Sequence, residues 1–111
     1  MNRVDMAGAR DRVAAKVAEQ RDISKRYAEK LCERLVGEGY DAELVEDVAR
    51  GWGVQTLYPR QSLTWMTLWC VAYDGHARWE WVRSLTWGCD ADDLDAAASY
   101  LRRWLGDPID D

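Results

Sequence analysis

The sequence has few of the residues from which catalytic and metal sites are usually built. It contains one histidine, His76, no phenylalanine, and three widely spaced cysteines without a C-x-x-C pair. This set is too small and too scattered for a zinc site or a disulfide framework. The H-E-x-x-H and G-x-S-x-G motifs and the glycine-rich phosphate loop are also missing. We therefore expect no metal, no cofactor and no enzymatic activity.

The sequence also lacks a long apolar segment and a positive net charge. No window approaches the roughly 18 to 20 apolar residues of a membrane span, and residues 1–12 lack the apolar stretch of a secretory signal. A net charge of −5 and a pI near 4.9 oppose binding to phosphate backbones. These features predict a cytoplasmic protein that binds neither membranes nor nucleic acid. The excess of arginine over lysine is typical of a high-GC bacterium or its phages.

The length of 111 residues and the apolar content of 48% predict a single globular domain over residues 1–111. Residues 1–8 and 107–111 are expected to be flexible tails. An apolar stripe from Tyr27 to Val36 predicts a helix that ends at Gly37 to Gly39. A thinner stripe from Val13 to Ala18 extends it upstream, either as one helix over about 9–36 or as two joined near Asp22.

A second helix is predicted near the C-terminus, because acidic residues from Asp90 to Asp95 precede an apolar stripe that ends at Leu105. Between the helices the apolar period changes to two, which predicts four strands. These are expected over about 40–47, 54–58, 63–73 and 77–85, with a short helix over 41–50 as the alternative to the first strand. The sequence thus predicts a two-layer α+β fold, in which a four-stranded antiparallel meander packs on one face against an N-terminal helix, or two, and a C-terminal helix.

The Asp74-Gly75 pair predicts a hairpin between the last two strands. A two-residue turn pairs Tyr73 with His76, and it places Trp79 and Trp81 on the core face and Trp65 and Trp69 on the other face. A three-residue turn would place all four tryptophans on the core face, because one residue of register exchanges the two faces. The two-residue turn is favoured, since Asp-Gly is its preferred pair.

With the two-residue turn, an aromatic row beside a pair of opposite charges lies on the face away from the helices. Tryptophan, tyrosine and arginine are enriched at protein interfaces, so the row predicts binding of another protein or of a second copy of this chain. We expect a small acidic regulator, an inhibitor or immunity-type protein, or an accessory protein of a phage or other mobile element. The predicted contact residues are Trp65, Trp69, Tyr73, Arg78 and Glu80. The alternative is a carrier or sensor that encloses an apolar small molecule between sheet and helices, lined by Leu68, Cys70, Trp79 and Trp81.

Overall fold

The computed structural model describes residues 4–57, 65–81 and 84–105, with side chains described over 8–56, 66–81 and 88–103. All five strands form one antiparallel sheet in which neighbours in sequence pair throughout. The α+β class and the meander are confirmed, with five strands instead of the predicted four. The elements are α1 (Val4–Gly37), β1 (Ala42–Asp47), β2 (Gly51–Leu57), β3 (Trp65–Tyr73), β4 (His76–Trp81), β5 (Ser84–Asp90) and α2 (Leu94–Leu105).

Helix α1 is continuous over 34 residues, which excludes two helices joined near Asp22. It begins at Val4, before the predicted start near residue 9. Residues 107–111 lie outside the described part of the chain, and the flexibility of both tails stays a prediction. The residues of α1 that face the sheet are almost fully buried and recur at helical spacing. They are Ser24, Ala28, Leu31 and Leu35.

A glycine ends α1 in the predicted region. Gly39 has a φ of 97°, a left-handed conformation that glycine adopts without steric cost. The Gly39 N–H donates to the Val36 carbonyl at 3.0 Å, and the Tyr40 N–H donates to the Leu35 carbonyl at 2.9 Å. These two bonds form a Schellman motif, which turns the chain from α1 into β1.

A buried serine joins α1 to the ends of two strands. Ser24 Oγ donates to the Cys70 carbonyl at 2.6 Å and accepts from the Trp52 N–H at 2.9 Å. Three residues earlier, Arg21 donates to Glu46 and to the carbonyls of Asp47 and Val48 in the β1–β2 turn. The helix is therefore fixed to the sheet by polar contacts at the end where it leaves the core.

The first segment after α1 is a strand, β1, as favoured over the short helix. It pairs with β2 from Ala42↔Thr56 to Asp47↔Gly51. The Asp47 carboxylate accepts from the N–H groups of Ala49 and Arg50 at 2.7 and 3.2 Å, and these bonds lower its pKa. An Asp side chain that caps its own turn is a common way to reverse the chain between strands.

The prediction of one strand over 77–85 is wrong. Strand β4 ends at Trp81, and β5 returns along it from Ser84 to Asp90, with a register shift between Glu80 and Trp81. Asp90 therefore lies in a strand, and α2 begins only at Leu94. Asp93 provides the cap, since its carboxylate accepts from the Ala96 N–H at 3.1 Å. The acidic residues from Asp90 onwards are typical of the start of a helix. For this reason the strand before them, whose apolar residues alternate up to Cys89, was not predicted.

The turn between β3 and β4 contains two residues. Tyr73 pairs with His76 and Cys70 with Trp79, as the two-residue alternative predicted. Asp74 and Gly75 have φ values of 51° and 81°, so both are left-handed, as a type I′ turn requires. The three-residue alternative, which would place all four tryptophans on one face, is excluded.

We predict that Gly75→Ala lowers the free energy of unfolding by about 1–2 kcal/mol, because a Cβ disfavours the left-handed conformation. Urea denaturation measures the loss. The matched control is Gly37→Ala at the end of α1, where an added Cβ meets no atom within 4 Å. This control should be neutral or stabilising by up to about 1 kcal/mol, since alanine has the higher helix propensity. Equal losses of unfolding free energy in Gly75→Ala and Gly37→Ala would contradict the requirement for a left-handed glycine in the turn.

Candidate partner-binding face of the sheet

The two faces of the sheet differ in what covers them. Side chains on the inner face pack against both helices in one core cluster. Its strand residues include Val54, Met66, Leu68, Cys70 and Trp79, each exposed by 1% or less. The outer face carries the alternate residues of each strand. Among the described residues, both helices lie on the inner side, so the outer face is the side on which a partner has access.

The residues of the alternative ligand site belong to the inner face. Leu68, Cys70 and Trp79 are fully buried in the core cluster, and the indole N–H of Trp79 donates to the Ala91 carbonyl at 3.2 Å. Trp81 is half-buried and meets the Tyr100 ring edge-on, with centroids 5.9 Å apart. All four side chains therefore pack against other residues of the protein, and together they belong to a packed core. The carrier function stays a prediction.

The predicted contact residues lie together on the outer face. Trp69 pairs with Glu80, and Tyr73 pairs with His76. Arg78 lies between these two pairs on the same face. Tyr73 is 75% exposed, and the side chains of Arg78 and Glu80 are each about half exposed. Trp65 begins β3 with the same alternation as Trp69, but its side chain lies outside the described part of the chain. The structure thus brings four of the five predicted residues into one surface.

Trp69 lies flat on the sheet because its neighbour on β2 is a glycine. Gly53 pairs with Trp69, and a Cβ built on Gly53 would lie 2.8 Å from Cε3 of the indole. The guanidinium of Arg50 lies 5.8 Å from the centre of the indole, at cation–π distance, and its Nη1 is 3.6 Å from the Asp47 carboxylate. Trp69 is half-buried by these neighbours.

Arg78 makes a similar contact with a second strand glycine. A Cβ on Gly88 would overlap the guanidinium of Arg78, so this group lies over the backbone of β5. Its Nε is 3.9 Å from Glu80 Oε1. Sequence reasoning missed Gly53, Gly88 and Arg50. A glycine inside a strand pattern is a signal for close approach of another group, and it could have pointed to both glycines.

The thiols are poorly suited to nucleophilic chemistry. Burial raises the pKa of Cys70 to about 12 and that of Cys89 to about 11, and it also raises the pKa of Cys32. The reactive form of cysteine is the thiolate, which these shifts disfavour at neutral pH. His76 is exposed beside the β3–β4 turn. Within the described ranges, no group of three His, Cys, Asp or Glu side chains is arranged to hold a metal ion.

Two clefts flank α1 where it passes the strand turns. One, of about 270 Å³, lies between α1 and the β1–β2 turn and is lined in part by Arg21, Ser24 and Arg50. The other, of about 250 Å³, lies between α1 and the β3–β4 turn, beside Lys16 and Asp74. The first cleft is also lined by apolar residues, among them Val17, Val48 and Val71. Neither cleft includes Trp79 in its lining.

No protein family, curated protein or solved structure matches this chain. Among the described residues, no helix is long and apolar enough to cross a membrane.

We predict that Gly53→Ala costs about 1–3 kcal/mol, because the new Cβ would lie 2.7 Å from the backbone carbonyl of Leu68 as well as against the indole. Gly88→Ala is the matched control, since the three atoms nearest to its Cβ all belong to the flexible end of the Arg78 side chain, which can turn into solvent. It should change stability by less than about 0.5 kcal/mol. Thermal unfolding with tryptophan fluorescence compares the two, and a costly Gly88→Ala with a neutral Gly53→Ala would contradict the packing described.

We also predict that stability falls as pH rises from about 9 towards 12. The pKa of Cys70 is about 12 in the folded protein against an ordinary 9.0, so the unfolded chain releases its proton first and gains stability relative to the folded chain. Urea denaturation at pH 8, 9 and 10 measures the slope. Cys70→Ala should reduce the slope, the remainder coming largely from Cys89, whose pKa is also raised. Cys32→Ala, at a less buried position, should change it less. An unchanged slope in Cys70→Ala would show that other groups cause the pH dependence.

Proposed function

We propose that this protein is a small non-enzymatic protein-binding module whose contact surface is the outer face of the sheet. One observation carries the proposal: Trp69, Tyr73 and Arg78 lie together on the sheet face opposite both helices. These are the residue types that most often dominate binding energy at protein interfaces. In this proposal Trp65 and Glu80 complete the surface.

The way the surface is built supports this function. Trp69 is packed over Gly53 and against Arg50, and Arg78 lies over Gly88 beside Glu80. Side chains that are already ordered lose little conformational entropy on binding, which favours affinity. The polar groups of Arg78, Glu80 and Tyr73 remain half or more exposed, so they can form hydrogen bonds with a partner.

The charge of the protein favours a protein partner over nucleic acid. The chain has a net charge of −5, and the outer face itself carries more carboxylates than guanidinium groups among its described residues. A phosphate backbone would be repelled, whereas a protein surface with basic residues around an apolar centre would be complementary. We place the protein in the cytoplasm, where it acts by occupying its partner, as a regulator, an inhibitor or immunity-type protein, or an accessory protein of a mobile element.

We expect Tyr73→Ala and Arg78→Ala each to weaken partner binding about tenfold or more, which corresponds to about 1.4 kcal/mol. Both side chains are exposed, so the melting temperature should hardly change. The assay compares proteins recovered on the tagged wild type and variants from native-cell lysate, quantified by mass spectrometry, alongside light scattering of the pure protein.

Val36→Ala is the matched control, because Val36 is 55% exposed on α1, away from the outer face. It should bind like the wild type. The proposal is wrong if both outer-face variants recover the same proteins as Val36→Ala and have the same oligomeric state.

A further inference from the structure

Helix α1 is much longer than the sheet it packs on. At 1.5 Å per residue its 34 residues span about 51 Å. Residues 10–19 are all exposed, and the buried stripe begins only at Ser24. We call residues 4–19 the arm. It is about 24 Å long. Its last residues, among them Lys16, Val17 and Glu19, lie beside the two turns that close one end of the sheet, and residues 4–15, about 18 Å, extend past these turns.

The arm has an apolar stripe that continues the buried stripe of α1. Leu35, Leu31, Ala28 and Ser24 face the sheet, and the same three- and four-residue spacing leads on to Val17 and Val13. Val13 is 62% exposed and Val17 is 47% exposed. Both valines therefore point towards the plane of the sheet. Val17 lies beside the β1–β2 turn, and Val13, one helical turn further on, lies beyond the end of the sheet.

The arm follows the direction of the strands. The C-terminal end of α1 leads through Tyr40 into the start of β1, and Arg21 contacts the end of β1 at Glu46. Helix and strand thus run side by side in opposite directions. The space faced by the arm stripe is the place where a second sheet would lie if it were set end to end with the first.

We propose that two copies of this chain pair reciprocally, with the arm of each copy lying on the outer sheet face of the other. The two-fold axis passes through the strand turns, lies parallel to the sheet and runs perpendicular to the strands. It places the second sheet end to end with the first and inverts it, so that the two outer faces point in opposite directions. Its outer face then meets the first arm, and its own arm meets the first outer face. The proposal rests on the proposed function, since it names the partner of that same surface.

Charge favours this pairing. The described strands contribute the carboxylates of Glu43, Asp47, Glu80 and Asp90 to the outer face, and Arg78 with Arg50 of the adjoining turn brings it to a net −2. On the arm, the charged residues nearest the stripe are Arg10 and Lys16. At 100° per residue, Asp11 and Glu19 lie more than a quarter of a turn from it. Two arms packed on each other would instead bring these basic residues together.

The dimensions also agree. Strand β3 has nine residues and is about 30 Å long, so the roughly 18 Å of the arm beyond the turns can cover more than half the length of one strip of the outer face. A helix about 10 Å wide and about 18 Å long leaves a footprint of about 180 Å² on each surface. Two reciprocal contacts therefore bury about 700 Å² in total, an area that corresponds to weak association at high protein concentration.

The test measures mass by light scattering and native mass spectrometry from about 1 to 500 µM. The wild type should approach twice the monomer mass of 12.8 kDa at the upper end of this range. Val13→Glu in the arm and Tyr73→Glu on the outer face should each be monomeric but folded, because both positions are exposed. Ala15→Glu lies on the opposite side of the arm from Val13 and is the matched control, which should remain dimeric.

Mixing the two monomeric variants gives the sharpest result. Val13→Glu keeps an intact outer face and Tyr73→Glu keeps an intact arm, so an equimolar mixture should form a heterodimer through one remaining contact. Pairing of arm with arm, or of face with face, would give none, and that result would overturn the proposal.

The failures of the two proposals are distinguishable. A wild type that stays monomeric at 500 µM overturns the arm exchange, while loss of a lysate partner in Tyr73→Ala would still support the outer face as a binding surface. A dimer broken by Tyr73→Glu but not by Val13→Glu also overturns the arm exchange and leaves the proposed function standing. If Val13→Glu breaks the dimer and Tyr73→Glu does not, the outer face takes no part in self-association.

Discussion

The two-residue turn at Asp74 and Gly75 is the constraint on which the arrangement of the sheet depends. Side chains alternate between the faces of a strand, so the turn length decides which residues of β3 and β4 share a face. With two residues in the turn, Cys70 and Trp79 meet inside, and Trp69 is left outside. The core can then be filled by Trp79 with leucines and alanines from two modest helices. The remaining aromatic residues form a surface.

The elements with strong local signals were predictable. The glycines after α1, the Asp-Gly pair and the amphipathic pattern of α2 each encode one local geometry, and the structure adopts each of them. Strand β5 was missed because its end overlaps an acidic cluster that resembles the start of a helix. The register shift between Glu80 and Trp81 depends on pairing between strands, which the alternation of a single strand does not reveal.

The residues of the candidate surface were predictable from the sequence, but the contacts that pack them against the sheet were not. Trp69, Tyr73 and Arg78 share a face by alternation alone, once the turn has two residues. The contacts with Gly53 and Arg50 depend on the register between β2 and β3, which no tight turn fixes. The same holds for Gly88, whose strand was not predicted. Trp69 can therefore lie on an open face and still be half-buried by Gly53 on β2, Glu80 on β4 and Arg50 in the β1–β2 turn.

Ser24 and Arg21 determine where the long helix α1 is attached to the sheet. They fix α1 to the strand ends of β2 and β3 and to the β1–β2 turn just before the helix leaves the core. Beyond that point the helix passes only the clefts beside the two strand turns, and residues 4–15 then extend from the sheet with support at one end. A rotation of about 10° at the support would move the far end by about 4 Å over a length of about 24 Å. Small changes in the packing of the sheet would thus be amplified at the N-terminal end of the helix.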